Sequence, residues 1–398
     1  MDVEQLKQTV CARVDELAPS LIDASHQIHG HPELNFEEHF AHGLLTDLLE
    51  ANGVPPVRGA YGLPTAFDAA VGNAGPVVAV LCEYDALPVV GHACGHNIIA
   101  TAGLGAGLAA AAIANDAGGR LRILGTPAEE GGGGKVRMAR AGAFDGIDAA
   151  MMVHPADADL VAITSLAIQE LQVTFHGLAA HAAAAPWDGR NALDAAVLGY
   201  TSIAALRQHI RPDERIHGVF IEGGAKANIV PDLTSMSWYV RSGSIGRLQD
   251  LKHRVLTCLE SAAAATGCTI DVEWIDNTYA EMVDNQAMVD AYVANAARLG
   301  RTVLDPVTSG KHVAGSTDMG NVSYLVPSIH PMIQAAPEGV PIHSVDFARF
   351  AASPQGDQAV LDGAKAMAMT IVDLWASASL RESAHAEFER RPQGVTVI

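Results

Sequence analysis

The sequence predicts an α/β protein interrupted by a smaller α+β unit, and three observations predict it. Short apolar runs at 77–81 and 121–124 each feed a polar loop, the pattern of buried strands. An Ala- and Gly-rich apolar stretch, 98–114, lies between them and reads as a buried helix. Near Thr164 the periodicity changes to alternation, so a different kind of sheet begins there. Buried strands that open into polar loops place a site at the strand ends.

In order along the chain, residues 1–20 read as an amphipathic helix carrying Asp2, Glu4, Lys7, Arg13, Asp15 and Glu16. The strands at 77–81, 121–124 and 149–153 alternate with helix and loop up to about residue 165. The alternating run IQELQVTFH (168–176) is followed by an Ala-rich helix at 191–208 and alternating strands at 216–221 and 236–240. A helix at 245–266 and a strand at 269–275 complete a β-α-β-β-α-β order, that of a ferredoxin-like unit. The chain then returns to helix, loop and apolar strand, with a long helix at 358–375 and a polar tail. The expected division is 1–165, an inserted unit at 166–278, and 279–398.

The 398 residues suit two or three domains, and 49% apolar content excludes disorder. With 25 Lys+Arg against 45 Asp+Glu, the net charge of −20 repels nucleic acid and anionic bilayers. No basic n-region followed by an apolar stretch opens the chain, and no span has basic flanks, so neither a signal peptide nor a membrane anchor is expected. Five cysteines in no disulfide-like spacing suggest a reducing cytoplasm.

The chemistry collects at the loops. GHACGHN brings His92, Cys94 and His96 together before the buried helix, and alternate positions on an extended loop would turn Cys94 and His96 to one side, toward one metal. Asp85 in EYDALP is placed to hydrogen-bond a ligand histidine. In GTPAEEGGGG, neighbouring Glu129 and Glu130 point differently, so one carboxylate can bind metal while the other acts as general base toward water. His154 closes a third strand. GLGAG at 103–107 lies inside the helix and is no dinucleotide fingerprint, and Gly134-Lys135 lacks the spacing of a phosphate loop. The glycines at 131–134 are expected to let backbone pass close to the metal site.

The set HPEL (31–34), EYDALP, HACGHN, GTPAEEGGGGK, His154-Pro155, GLAAHAAAAPWDGRNALDA, NIVPD, Arg241 and GSTDMGNVSYLVPSIHP resembles the M20 metallopeptidase/amidohydrolase family over nearly the whole chain. It is most similar to the branch of p-aminobenzoyl-glutamate hydrolases and β-alanyl-lysine-type dipeptidases, through Asn97 and the glycine run. The resemblance implies a metallopeptidase catalytic domain, its mixed sheet between helices, interrupted by a lid that forms a homodimer. Cys94, His96, Glu130, His154 and His343 would hold two divalent ions, Zn or Mn. Glu129 would be the base, His181 the partner subunit's oxyanion stabiliser, and Asp85 would complete the reacting machinery. Arg241, Asn228 and His330 would bind a small-molecule substrate with a free carboxylate, and Ser316, Thr317 and Asp318 would line the pocket with His330. Where the classical exopeptidases place a His two residues before the Asp, this chain has Glu83, and Cys94 takes over that ligand. The implied reaction is hydrolysis of an amide or peptide bond next to a free carboxylate, in an N-acyl amino acid or dipeptide. Two other classes stay open: a metal-independent Cys94–His96 hydrolase, which would survive a chelator, and a catalytically silent ligand-binding homologue.

Overall fold

The computed structural model describes residues 2–311, 314–391 and 397–398. Two compact units result: Ser165–Glu281 forms one, and the flanking segments, Val397 excepted, form the other.

The flanking unit is built on a mixed six-stranded sheet in the order Val57–Arg58, Phe67–Val71, Arg120–Thr126, Val77–Glu83, Ala149–Met151, Ser328–Ile329. The first three strands pair antiparallel and the last four pair parallel. Every residue of Val77–Glu83 is buried, which is why the sequence there is continuously apolar rather than alternating. The buried helix is His96–Ala111, with a separate turn of helix at Ala114–Ala117. Its GLGAG segment is a packing device. A Cβ on Gly103 would lie 2.6 Å from the Leu81 carbonyl oxygen, and one on Gly105 would lie 2.7 Å from Leu21 Cδ1. The helix is thereby squeezed between the sheet and the N-terminal helix.

The N-terminal helix runs Val3–Gly30, well past residue 20, starting from a capping box between Asp2 and Gln5. It passes through Pro19, whose interior position costs about 3 kcal/mol. Buried Val10, Val14, Leu17, Leu21 and Ile28 offset that, since each buried aliphatic side chain contributes about 1.5–3 kcal/mol. At the other end the long helix is Pro354–Ala376. The expected polar tail is instead helical over Ala378–Glu389: Ser377 caps its first turn, and Arg381 donates to the carbonyls of Leu374 and Trp375. Only Ala384 of that helix is buried, so no apolar stripe marks it in the sequence.

In the inserted unit the sheet order is Thr269–Tyr279, Ala167–His176, Leu233–Ser242, Arg215–Glu222, all antiparallel. In order of appearance these are strands four, one, three and two, with helices Ala192–Leu206 and Ile245–Thr266 in the two crossovers. Ala167, Gln169, Leu171, Val173 and Phe175 alternate inward along the first strand. Arg215–Glu222 is an edge strand that exposes Val219, Phe220 and Ile221. Among the described residues no helix is long and apolar enough to cross a membrane.

Candidate functional site

The C-terminal ends of the central parallel strands deliver the chemistry-bearing loops to one cavity of about 400 Å³ in the flanking unit. Cys94, Glu129, Glu130, His154, His330 and His343 line it, together with Asp157, Ile163, Ser316 and Thr317.

Cys94 and His96 do not sit on one extended loop. Cys94 lies in a turn, Gly95 has a left-handed backbone (φ 77°), and His96 opens the buried helix. Only glycine suits Gly95, because a Cβ there would lie 2.6 Å from the Pro155 ring. His92 turns away, its ring 6.2 Å from that of His29. His154 begins a short strand of its own, His154–Ala156, paired with Met332–Gln334.

Two histidines are oriented by the groups behind them. His96 Nδ1 donates to Asp85 Oδ1 at 3.0 Å, and His154 Nδ1 donates to the Pro155 carbonyl at 2.8 Å. Each ring is thereby oriented with Nε2, the nitrogen that a metal takes, turned away from that partner. Asp85 Oδ2 also accepts from the Glu130 amide at 2.9 Å, tying the two loops together. Cys94 Sγ lies 3.3 Å from His154 Nε2 and 3.3 Å from His343 Nε2, and the latter is 3.4 Å from Glu130 Oε1. Ala128 (φ 57°) and His343 (φ 64°) hold left-handed backbone conformations beside the site, strain of about 1–3 kcal/mol each that aims Glu129 and the His343 ring.

The electrostatics suit a cation. Burial, then the Glu130 charge, holds the Cys94 thiol well above its ordinary pKa. Burial, then Glu83 and Glu130, holds Glu129 well above the carboxylate range. Burial, then the His96 charge, pushes His154 down to about 3, so it is neutral. Glu130 behaves differently: burial pushes it up, but a hydrogen bond from His343 and the His96 charge bring it below normal.

Cys94, His96 and His154 offer donor atoms within 4.8 Å of one another, as do Cys94, Glu130 and His343, and Glu83, His96 and Glu129. His96 Nε2 is buried, with no hydrogen-bond partner among the described residues. A soft thiolate, imidazoles and carboxylates around an orphaned ring nitrogen form a donor set that fits a divalent transition metal.

His330 is buried, its ring edge-on to His154 at 5.5 Å between centroids, and among the described residues neither nitrogen has a hydrogen-bond partner. Asp318 does not line the cavity: it is buried, accepting from the Lys135 amide at 2.8 Å and from Lys135 Nζ at 2.6 Å. Lys135 in turn is ion-paired with Glu83. Glu83 and Lys135 are both noted in the sequence, but neither is given a role at the site there. The available signal was a lysine directly after a glycine run, at the start of the short Gly134–Arg140 helix, in a chain whose carboxylates collect nearby. The glycines serve packing rather than metal access. A Cβ on Gly134 would lie 1.8 Å from the Pro127 carbonyl oxygen, and one on Gly132 would lie 2.4 Å from the Phe36 ring. The HPEL motif is scaffolding too, since Glu33 accepts from the amides of Phe40 and Ala41.

His181, Asn228 and Arg241 belong to the inserted unit. His181 is exposed, and its Nδ1 accepts from the amides of Ala183 and Ala184, which leaves the proton on Nε2 as an outward donor. The loops of His181 and Asn228 are zipped by Ala182 N to Asn228 O at 3.1 Å and Val230 N to Ala180 O at 2.9 Å. Arg241 is half-buried on the Leu233–Ser242 strand, its guanidinium 5.9 Å from the Tyr239 ring centroid. Burial lowers its pKa, and among the described residues its Nε has no hydrogen-bond partner, which leaves that donor open to an anion.

A model of peptidase family M20/M25/M40 matches residues 82–371. The chain is 41% identical over 410 residues to the Xaa-Arg dipeptidase of Mus musculus, an alignment that spans 98% of this chain and 94% of the relative. It is 30% identical over 440 residues to a p-aminobenzoyl-glutamate hydrolase polypeptide of Escherichia coli, with 92% of each covered. A solved Bacillus subtilis structure, described as a dinuclear metal-binding peptidase of the M20 family, shares the fold with a TM-score of 0.70 at 19% identity, over 90% of this chain and 98% of that one. The chain is therefore an enzyme of peptidase family M20/M25/M40.

Proposed function

We propose that the protein hydrolyses the peptide or amide bond of a small substrate that carries a free carboxylate, using two divalent ions, Zn or Mn, held by Cys94, His96, Glu130, His154 and His343. The observation that carries the reading is the convergence of Cys94, Glu130, His154, His343 and Glu129 on one cavity, with the buried His96 donor atom within 4.8 Å of those of Cys94 and His154. A divalent cation there supplies Lewis-acid chemistry, polarising the scissile carbonyl and acidifying water. Glu129 takes the proton of the attacking water and passes it to the leaving amine. Asp85 keeps His96 in the ligating tautomer. His181, with its proton on Nε2, donates to the oxyanion as it develops, and Arg241 clamps the substrate carboxylate, aided by Asn228 and His330.

The Xaa-Arg dipeptidase relative points first to dipeptides, and the aminobenzoyl-glutamate hydrolase relative to acylated amino acids. The test is a screen of dipeptides with basic C-terminal residues, β-alanyl dipeptides and aminobenzoyl-glutamate, with Zn and Mn each supplied. Turnover that dialysis against a chelator abolishes and metal restores is the expected result. Activity that survives the chelator would instead favour a Cys94–His96 hydrolase.

Arg241→Lys is expected to raise KM about tenfold or more for substrates with a free carboxylate, because a bidentate fork becomes a point charge. Equal damage on a C-terminally amidated substrate would make Arg241 structural.

The reading includes a homodimer through the inserted unit, supported by the exposed Val219, Phe220 and Ile221 on its edge strand. In such a dimer His181 serves the opposite protomer's site. Mixing inactive His181→Ala with inactive Glu129→Ala under exchange of protomers should restore roughly a quarter of wild-type activity, since half the dimers are mixed and each has one sound site. Verified mixed dimers without activity would show that His181 does not act across the interface.

A further inference from the structure

Three donor groups share the cavity region, but the third, Glu83 with His96 and Glu129, differs from the two centred on Cys94. Its Glu83 carboxylate already has a cation. Lys135 Nζ is ion-paired with Glu83 and donates to Asp318 Oδ1 at 2.6 Å, and the Lys135 amide donates to Asp318 Oδ2 at 2.8 Å. The side chains of all three are 0–1% exposed. The backbone arranges this contact: Gly134 lets the Gly134–Arg140 helix start directly against Pro127, and Asp318 caps the first turn of that helix.

We propose that Lys135 is a built-in cation for the Glu83 corner of the site, withholding Glu83 from metal and confining the divalent ions to the donors around Cys94. The inference rests on the metal-centre reading above. An ammonium has three donors and no acceptor, so it satisfies carboxylate oxygens and cannot ligate. A metal bound at Glu83 would stand beside a buried positive charge, and that repulsion is hardly screened in a dry interior. Glu83 meanwhile stays 3.7 Å from His96 Nε2, close enough to ligate a shared ion once the ammonium is gone. The Lys135 ammonium remains charged: burial opposes it, but Asp318, Glu83 and Glu129 carry its pKa above the ordinary lysine value.

The experiment titrates apo-protein with Zn²⁺ and with Mn²⁺ against a chromophoric chelator and counts bound metal by mass spectrometry. Glu83→Gln and the charge-balanced pair Glu83→Gln/Lys135→Met are expected to keep wild-type metal stoichiometry, with affinities within about threefold. Lys135→Met alone is expected to tighten the weakest-bound ion about tenfold by releasing Glu83, and the gain should vanish in the pair. The pair removes one buried charge of each sign and leaves the net charge of the cluster unchanged, so it reports even where a single variant misfolds. Loss of a metal equivalent in Glu83→Gln or in the pair would make Glu83 a ligand and overturn the role given to Lys135. Wild-type protein that takes up no metal would overturn the metal-centre reading as well, so the two failures are distinguishable.

Discussion

Glu129→Gln lowers kcat by about a thousandfold or more and leaves metal content unchanged, because the amide keeps the shape of the carboxylate and cannot take a proton. The expectation follows from where Glu129 sits. It is only 6% exposed, follows a strained Ala128, and its carboxylate stands 3.8 Å from His96 Nε2. Burial with Glu83 and Glu130 beside it raises its proton affinity, as a base requires. Glu130→Gln is expected to do the reverse and lose metal, since that carboxylate faces His343 and shares a donor group with Cys94. Product formation by chromatography, paired with elemental analysis of each variant, separates the two roles. Metal loss in Glu129→Gln with metal retained in Glu130→Gln would exchange the assignments.

Cys94→Ser is expected to weaken metal binding by about 10- to 100-fold or more, and to bring the Tm of the metal-loaded protein down toward that of the apo form. Cys94 belongs to two of the three donor groups, and its sulfur lies between the Nε2 atoms of His154 and His343. A serine hydroxyl is rarely ionised and is a poor ligand for a soft site. Its loss would thus remove a donor from both groups, whereas loss of His343 would remove one from a single group. Unchanged affinity by chelator competition would remove Cys94 from the ligand set.

The sequence makes the strand ends legible because a buried strand must stop where polar residues begin, and Asp85, Glu129 and His154 each stand just past such a stop. The inserted unit is legible for a related reason: its strands bury one face, so Ala167–His176 alternates where Val77–Glu83 cannot. Two things are hidden. The Ala378–Glu389 helix is held by Ser377 and by Arg381 reaching back to carbonyls, interactions that leave no apolar period. Lys135 is hidden because its partners, Glu83 and Asp318, lie far from it along the chain. Only folding shows that a lone lysine after a glycine run has two carboxylates waiting for it.

The order of synthesis follows from the placement of the inserted unit. Ala149–Met151 pairs on one side with Ser328–Ile329, which the ribosome adds only after Ser165–Glu281 is complete. At ordinary elongation rates the nascent sheet waits roughly ten to forty seconds with an apolar edge unpaired. During that interval Cys94, His96, Glu130 and His154 already exist as a chain, but His343 does not. On the ligand set proposed above, a nascent polypeptide would offer ions four of its five donors before the last imidazole arrives, and the first cation to arrive need not be the one the finished pocket prefers.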